Sequence, residues 1–217
     1  VFGMAVAATA LATPALARDG EGYFGADLGY TDVEAHKIFS DNIPVVREKE
    51  KDGYELGGFI GYDWGKIRTE AEVAYEKFDD RSLTNVATKR SINLTGSSHI
   101  TTAMANALLD LGGQDGGIAL AIGGGAGRAF LSTDIAGPAG SGVALNDSDS
   151  AWAYQGIVQA RFPLTSWGEI GLKYKYLNTD TFRLHDATGG RHYTEMASST
   201  FLLSLIANFG GAAPDRK

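Results

Sequence analysis

From Tyr54 to Phe78 the chain reads YELGGFIGYDWGKIRTEAEVAYEKF, two long alternating runs joined by Asp63, Trp64, Gly65 and Lys66. Alternation with period 2 turns successive side chains to opposite faces of a strand. In the second run Ile67, Thr69, Ala71, Val73 and Tyr75 share one face, and Arg68, Glu70, Glu72, Ala74 and Glu76 share the other. In the first, Tyr54, Leu56, Gly58, Ile60 and Tyr62 lie opposite Glu55, Gly57, Phe59, Gly61 and Asp63. Strands of soluble domains run about 5–6 residues, whereas a strand tilted across a bilayer needs about 9–11. Both runs have the longer length. With the apolar set against hydrocarbon and the charged set in a lumen, the pattern is that of a membrane barrel. The reverse facing would put the four charges of the second run into lipid, at about 2–4 kcal/mol for a basic residue at mid-depth and less for an acidic one. Parity alone also fits a soluble barrel with its faces exchanged, so the other segments must separate the two.

Six further segments alternate in the same way. GYFGADLGYT, from Gly22, sets Phe24, Ala26, Leu28 and Tyr30 against Tyr23, Gly25, Asp27 and Gly29. ITTAMANALLDL, Ile100 to Leu111, is the most ambiguous, because its Ala, Met and Leu are good helix formers. As a strand it would turn Ala103, Ala105, Ala107 and Leu109 outward, and Met104 and Asn106 inward. After the turn signal GGQDGG come IALAIGGGAGRAF, AWAYQGIVQARFPL, GEIGLKYKYL and SSTFLLSLIANF. The connections alternate long and short, with long loops expected at about Val33 to Lys51, Asp79 to His99, Leu131 to Ser150 and Asn178 to Ala197. An all-β, eight-stranded, antiparallel up-and-down transmembrane β-barrel sorts its connections this way, short turns inside and long loops outside. The aromatics agree. Phe24, Trp64, Phe162 and Phe209 fall near the termini or short turns, and Tyr30, Tyr54, Tyr75, Trp152 and Tyr176 near the long loops. Two girdles at two membrane interfaces have this distribution.

The first residues, VFGMAVAATALATPALARDG, combine an apolar run, Pro14 and the small-residue pattern Ala15-Leu16-Ala17. They read as a secretory signal over 1–17, truncated at its start, with a barrel over 18–209 and a short tail over 210–217. No later stretch has 18 uninterrupted apolar residues, so membrane crossing by a helix is not expected. A net charge of −7 supplies no basic field for nucleic acid. The absence of cysteine removes disulfides, thiolate metal sites and cysteine nucleophiles from consideration.

GYFGADLGY, IRTEAEVAYEKFD, IGGGAGRAF, YQGIVQARFPL, GLKYKYL and LLSLIANF, in this order and spacing, resemble the small outer-membrane β-barrel proteins of Gram-negative bacteria. The nearest group is the porin-like surface antigens that share their architecture with the eight-stranded OmpA transmembrane domain. The likeness spans Arg18 to Phe209. It implies an outer-membrane location, lipid bilayer and lipopolysaccharide as surroundings, and a monomer. It also implies recognition of a terminal aromatic by the barrel-insertion machinery, for which Phe209 with Leu205 and Leu203 in step fits. Eight residues follow that aromatic, a departure from the family's usual ending.

The inward charges are Asp27, Glu55, Arg68, Glu70, Glu72, Glu76, Arg161, Glu169, Lys173 and Lys175. An eight-stranded barrel is just wide enough for its own side chains, so a salt-bridged core is expected, with both signs present to pair. A narrow conduit favouring cations is the competing reading. Gly123 to Gly127 lacks the spacing and the Lys-Ser/Thr of a phosphate loop and reads as a strand that bends or leaves room opposite. His36, His99, His185 and His192 lie in loops or at strand ends without an inward His–Ser–acid set. Asp180, His185, Asp186, His192 and Glu195 share a loop but no fixed metal-ligand spacing. No cofactor is expected, and any surface ligand would meet the long loops.

Overall fold

The computed structural model describes residues 20–33, 36–40, 43–49, 53–79, 82–85, 91–93, 95–112, 117–136, 144–185 and 191–209. The expected signal segment 1–17 and tail 210–217 lie outside them. In chain order the strands are β1 (Glu21–Val33), β2 (His36–Ser40), β3 (Ile43–Lys49), β4 (Gly53–Asp63), β5 (Ile67–Asp79), β6 (Ser82–Asn85) and β7 (Ser91–Asn93). Then come β8 (Thr95–Gly112), β9 (Ala119–Ala136), β10 (Ala144–Pro163), β11 (Gly168–Thr179), β12 (Phe182–His185), β13 (Arg191–Thr194) and β14 (Ala197–Phe209). Eight of them close into one barrel in the order β1-β14-β11-β10-β9-β8-β5-β4, every pair antiparallel.

Parity sorts the side chains as the alternation requires. Leu28, Leu56, Ile60, Val73, Leu172 and Leu205 are each more than half exposed on the outer wall, whereas Asp27, Glu72 and Lys173 are buried inside. A protein in water rarely leaves so broad an apolar band uncovered. This exterior belongs in hydrocarbon.

The segment from Ile100 to Leu111 is strand, not helix. It pairs with β5 from Ile67–Leu109 onward and with β9 from Gly112–Leu120 onward. Its helix propensity loses because both neighbouring strands need its backbone groups, and lipid would satisfy none of them. At the first short turn Asp63 accepts the Gly65 N–H at 2.7 Å, and Gly65 takes φ 100°, where a side chain would be strained.

The long connections are more ordered than a reading as polar loops implied. Most of Leu131 to Ser150 is ladder, since β9 continues to Ala136 and β10 begins at Ala144, with those two residues paired. Asp147, Ser148, Asp149 and Ser150 are turn formers, but cross-strand pairing to Thr133, Ser132, Leu131 and Phe130 holds them extended. The first, second and fourth connections contribute β2, β3, β6, β7, β12 and β13 to a second, six-stranded sheet.

Val73 faces outward midway along β5. Val73→Arg is expected to lower stability by about 2–4 kcal/mol, and Leu164→Arg in a short turn by about 0–1. Equilibrium unfolding in phosphatidylcholine vesicles measures both.

Candidate functional site in the barrel interior

All ten charged residues singled out in the sequence point into the barrel, arranged in tiers that follow their order along β5. The lowest tier is built on two guanidinium groups. Arg68 donates to Asp110 Oδ1 from Nε at 2.9 Å and from Nη2 at 2.6 Å. Its Nη1 reaches Gln159 Oε1 at 3.3 Å, and the same oxygen accepts from Arg161 Nε at 3.0 Å. Arg161 also donates to Glu70 Oε1 at 3.1 Å and stands 3.8 Å from Glu169. Tyr23 donates to that Glu70 oxygen at 2.9 Å, and its ring lies 4.4 Å under the Arg161 guanidinium.

The middle tier converges on Glu72. Lys175 donates to Glu55 and reaches Glu72 Oε1 at 3.4 Å. Lys173 donates to Asp27 Oδ2 at 2.6 Å and lies 3.8 Å from Glu72 Oε2, with the Phe59 ring 4.3 Å away. Asn106 Nδ2 donates to Glu72 at 3.0 Å, and Gln155 Nε2 donates to Asn106 Oδ1 at 2.8 Å. Ser204 donates to the other Asp27 oxygen at 2.5 Å. Above this tier Glu76 lies opposite Glu55 in the ladder and accepts from Ser198 at 3.3 Å.

The glycine run is explained by the same crowding. Gly125 faces inward between Asn106 and Gln155, and a Cβ there would fall on the Asn106 carboxamide that holds Glu72. Glycine is needed for room and not for phosphate.

Above the ionic tiers the lumen changes character. Phe78, Ile100, Met104, Leu131, Leu177, Phe182, Leu184 and Met196 form one buried apolar cluster. Phe182, Leu184 and Met196 come from the fourth long connection, tucked in by Thr179, whose N–H donates to the Met196 carbonyl at 2.9 Å. Sequence reasoning missed this cap. Phe78, Ile100, Leu131 and Leu177 had the inward parity to signal it, but nothing in the sequence placed Phe182 over them. Parity put Tyr23 and Gln159 on the inward face without giving them a role, and Asp110 and Ser204 were passed over, because each role depends on which charge lands beside it.

On the outer wall, Phe24, Tyr30, Tyr54, Trp64, Tyr75, Trp152, Tyr176 and Phe209 are exposed, and Phe162 is half-buried. Leu203 and Leu205 share the outer face of β14 with Phe209, whose ring lies 6.0 Å from that of Phe24. Trp167 and Tyr62 join the ring nearest the short turns, and Phe201, Tyr174, Tyr154 and Phe130 the opposite half. His99 stacks on Tyr75 at 5.4 Å on that wall, remote from the interior acids. Of the acidic loop cluster, Asp186 and the side chains of His185 and His192 lie outside the described residues, and Glu195 accepts from Thr181 at 3.0 Å.

A closed eight-stranded barrel with an apolar exterior and an internally paired ionic core is a transmembrane barrel. Residues 3–209 match the outer membrane protein beta-barrel domain, and the chain belongs to that family. Its place is the bacterial outer membrane. Three solved structures share the fold at low identity. OprG of Pseudomonas aeruginosa is 11% identical with a TM-score of 0.58, over 92% of this chain and 100% of that one. Neisserial surface protein A is 13% identical with a TM-score of 0.53, over 87% and 97%. A major outer membrane protein of Thermus thermophilus is 12% identical with a TM-score of 0.51, over 87% and 99%. No curated protein sequence matches the chain.

Removing one member of a buried ionic cluster strands the others. Glu72→Ala is expected to cost about 3–5 kcal/mol, whereas replacing a whole pair, Asp27→Leu with Lys173→Met, should cost less than Lys173→Met alone. Unfolding in vesicles separates the two outcomes.

Proposed function

We propose that this chain is a sealed, non-catalytic, monomeric anchor that stiffens the outer membrane and holds its six-stranded sheet at the cell surface. The observation that carries this reading is the pair of unlike stoppers in series. Ion-paired side chains from β1, β4, β5, β10 and β11 meet across the lumen, and an apolar cap lies over them. An ion passing through would have to break charge pairs and then enter a mainly apolar layer that offers scattered hydroxyls, such as those of Thr102 and Thr194, and no counter-charge. Each step is costly by itself.

A second reading, surface binding, has its own support. Three long connections pair with one another instead of hanging as separate loops, through contacts such as Tyr193–Phe39 and Arg47–Thr84. A paired sheet presents a firmer surface to a host or matrix ligand than free loops do. Deleting β2 and β3 without loss of cell or matrix attachment would remove this reading. Catalysis draws less support. The described histidine side chain, His99, is engaged with Tyr75 on the lipid side.

Leu203, Leu205 and Phe209 are the proposed mark for the insertion machinery, being aligned on the outward face of the strand that closes the barrel.

Purified protein in planar bilayers is expected to give no steady conductance. Reproducible current steps whose size changes in Glu72→Gln would replace the sealed anchor with a cation conduit. Phe209→Ala is expected to lower the folded, heat-modifiable population in the outer membrane severalfold while the same protein still refolds in detergent. Equal levels in cells would dismiss the proposed mark.

A further inference from the structure

Between the two aromatic rings, the outward positions of the eight barrel strands carry one charge among the described residues, Arg128 on β9. It pairs in register with Trp152 on β10, a residue of the girdle nearest the long connections, and its guanidinium lies 5.5 Å over that indole. One nitrogen donates to Ser150 Oγ at 2.5 Å and to the Ser150 carbonyl at 3.3 Å. A guanidinium has five N–H donors in a planar fork, and among the described residues no carboxylate pairs with this one. At the bilayer midplane such a residue would cost about 2–4 kcal/mol, and at the interface about 0–1. Its depth is what makes it tolerable.

Arg128 floors a cavity of about 430 Å³ whose other walls include Asp149, Trp152, Asp180, Thr181 and Arg183. That volume lies within the roughly 300–1,000 Å³ of ordinary ligand sites. The cavity straddles the rim of the barrel, because Arg183 belongs to β12 above the girdle, and its N–H donates to Asp149 Oδ2 at 2.7 Å. Two cations and two carboxylates therefore face one space beside an exposed indole. A bare phosphodiester would answer the arginines and be repelled by the aspartates. A phosphorylated sugar answers both, since its phosphate takes the guanidinium forks and its hydroxyls donate to the carboxylates.

The wall just below is bare. Ala107, Gly124 and Gly156 lie side by side across β8, β9 and β10, and Ala105 with Ala126 forms the next row toward Arg128, bounded on β10 by the exposed Tyr154. A Cβ added at Gly156 meets no atom within 4 Å. This shallow trough in the hydrocarbon zone leads up to the cavity.

We propose that the cavity binds the phosphorylated glucosamine headgroup of an outer-leaflet glycolipid of the lipid A class, with acyl chains lying along the trough. The ligand is thus a lipid of the surrounding leaflet and not a solute crossing the lumen. The assignment stands or falls apart from whether the barrel conducts.

The test uses the full chain folded in zwitterionic detergent, titrated with hexa-acylated diphosphoryl lipid A and read by native mass spectrometry of the protein–lipid complex. Removing a lipid-facing charge does not threaten folding, and heat-modifiable gel mobility verifies it for each variant. Arg128→Ala with Arg183→Ala is expected to weaken binding roughly tenfold or more, as loss of charge-assisted hydrogen bonds to a phosphate implies. Dephosphorylated lipid A should bind the unaltered protein at that reduced level, and millimolar inorganic phosphate should compete poorly. Gly156→Phe should weaken lipid A while sparing the fold. Unchanged affinity in the double arginine variant would overturn the proposal. So would phosphatidylglycerol binding as tightly as lipid A, or inorganic phosphate displacing it fully. Unchanged affinity in Gly156→Phe would remove the trough from the site.

Discussion

Hydrocarbon neither donates nor accepts a hydrogen bond, so every strand in the membrane band must be paired along both edges. The ladder from Gly22–Phe209 to Val33–Ser198 does this for the two ends of the chain, joining β1 to β14 and leaving no free edge. Closure at eight strands then sets the interior width. A lumen so narrow holds side chains with little space for bulk water, and its charges must satisfy one another. The tiers around Glu72, Glu70 and the two arginines follow from that enclosure. Five buried carboxylates, Asp27, Glu55, Glu70, Glu72 and Glu76, share the space with Arg68, Arg161, Lys173 and Lys175.

Such a core is less a source of stability than a determinant of register. Buried pairs return little beyond their desolvation cost, but a mispaired strand would leave several charges without partners. A slip of one residue between β4 and β5 would turn Glu55 or Glu72 into lipid and break the middle tier. The apolar cap complements this arrangement. Phe182, Leu184 and Met196 tie the fourth connection to the barrel mouth, so the six-stranded sheet is seated on the barrel by burial as well as by covalent linkage. Filling the barrel mouth and seating the sheet have one physical cause, apolar packing over an ionic layer. The outer wall has the converse problem, and among the described residues its one charge between the girdles, Arg128, lies against the girdle residue Trp152.

The barrel itself was legible in the sequence because its signal is local. Period 2 over long runs, small turns alternating with long connections, and aromatics at the ends of strands are each visible without knowing what pairs with what. Inward charges such as Arg68 and Lys175 follow from parity alone. The helical alternative for Ile100 to Leu111, which left that strand the most ambiguous of the eight, and the loop reading of Leu131 to Ser150, which the structure overturned, have the complementary origin. Propensity described each segment in isolation, and the ladders of β5, β8, β9 and β10 overruled it.

What the sequence by itself determined is which side of the wall each residue faces, since a strand's handedness and pleat assign alternate side chains to alternate faces whatever the neighbours are. Only the tertiary structure decided who meets whom. Glu72 gathers lysines about a hundred residues away in the chain, Gly125 yields space to Asn106, Phe182 caps Ile100, and Arg128 shares a cavity with Arg183. Those partners are set by shear and closure of the whole sheet, a global condition that no local pattern of residues encodes.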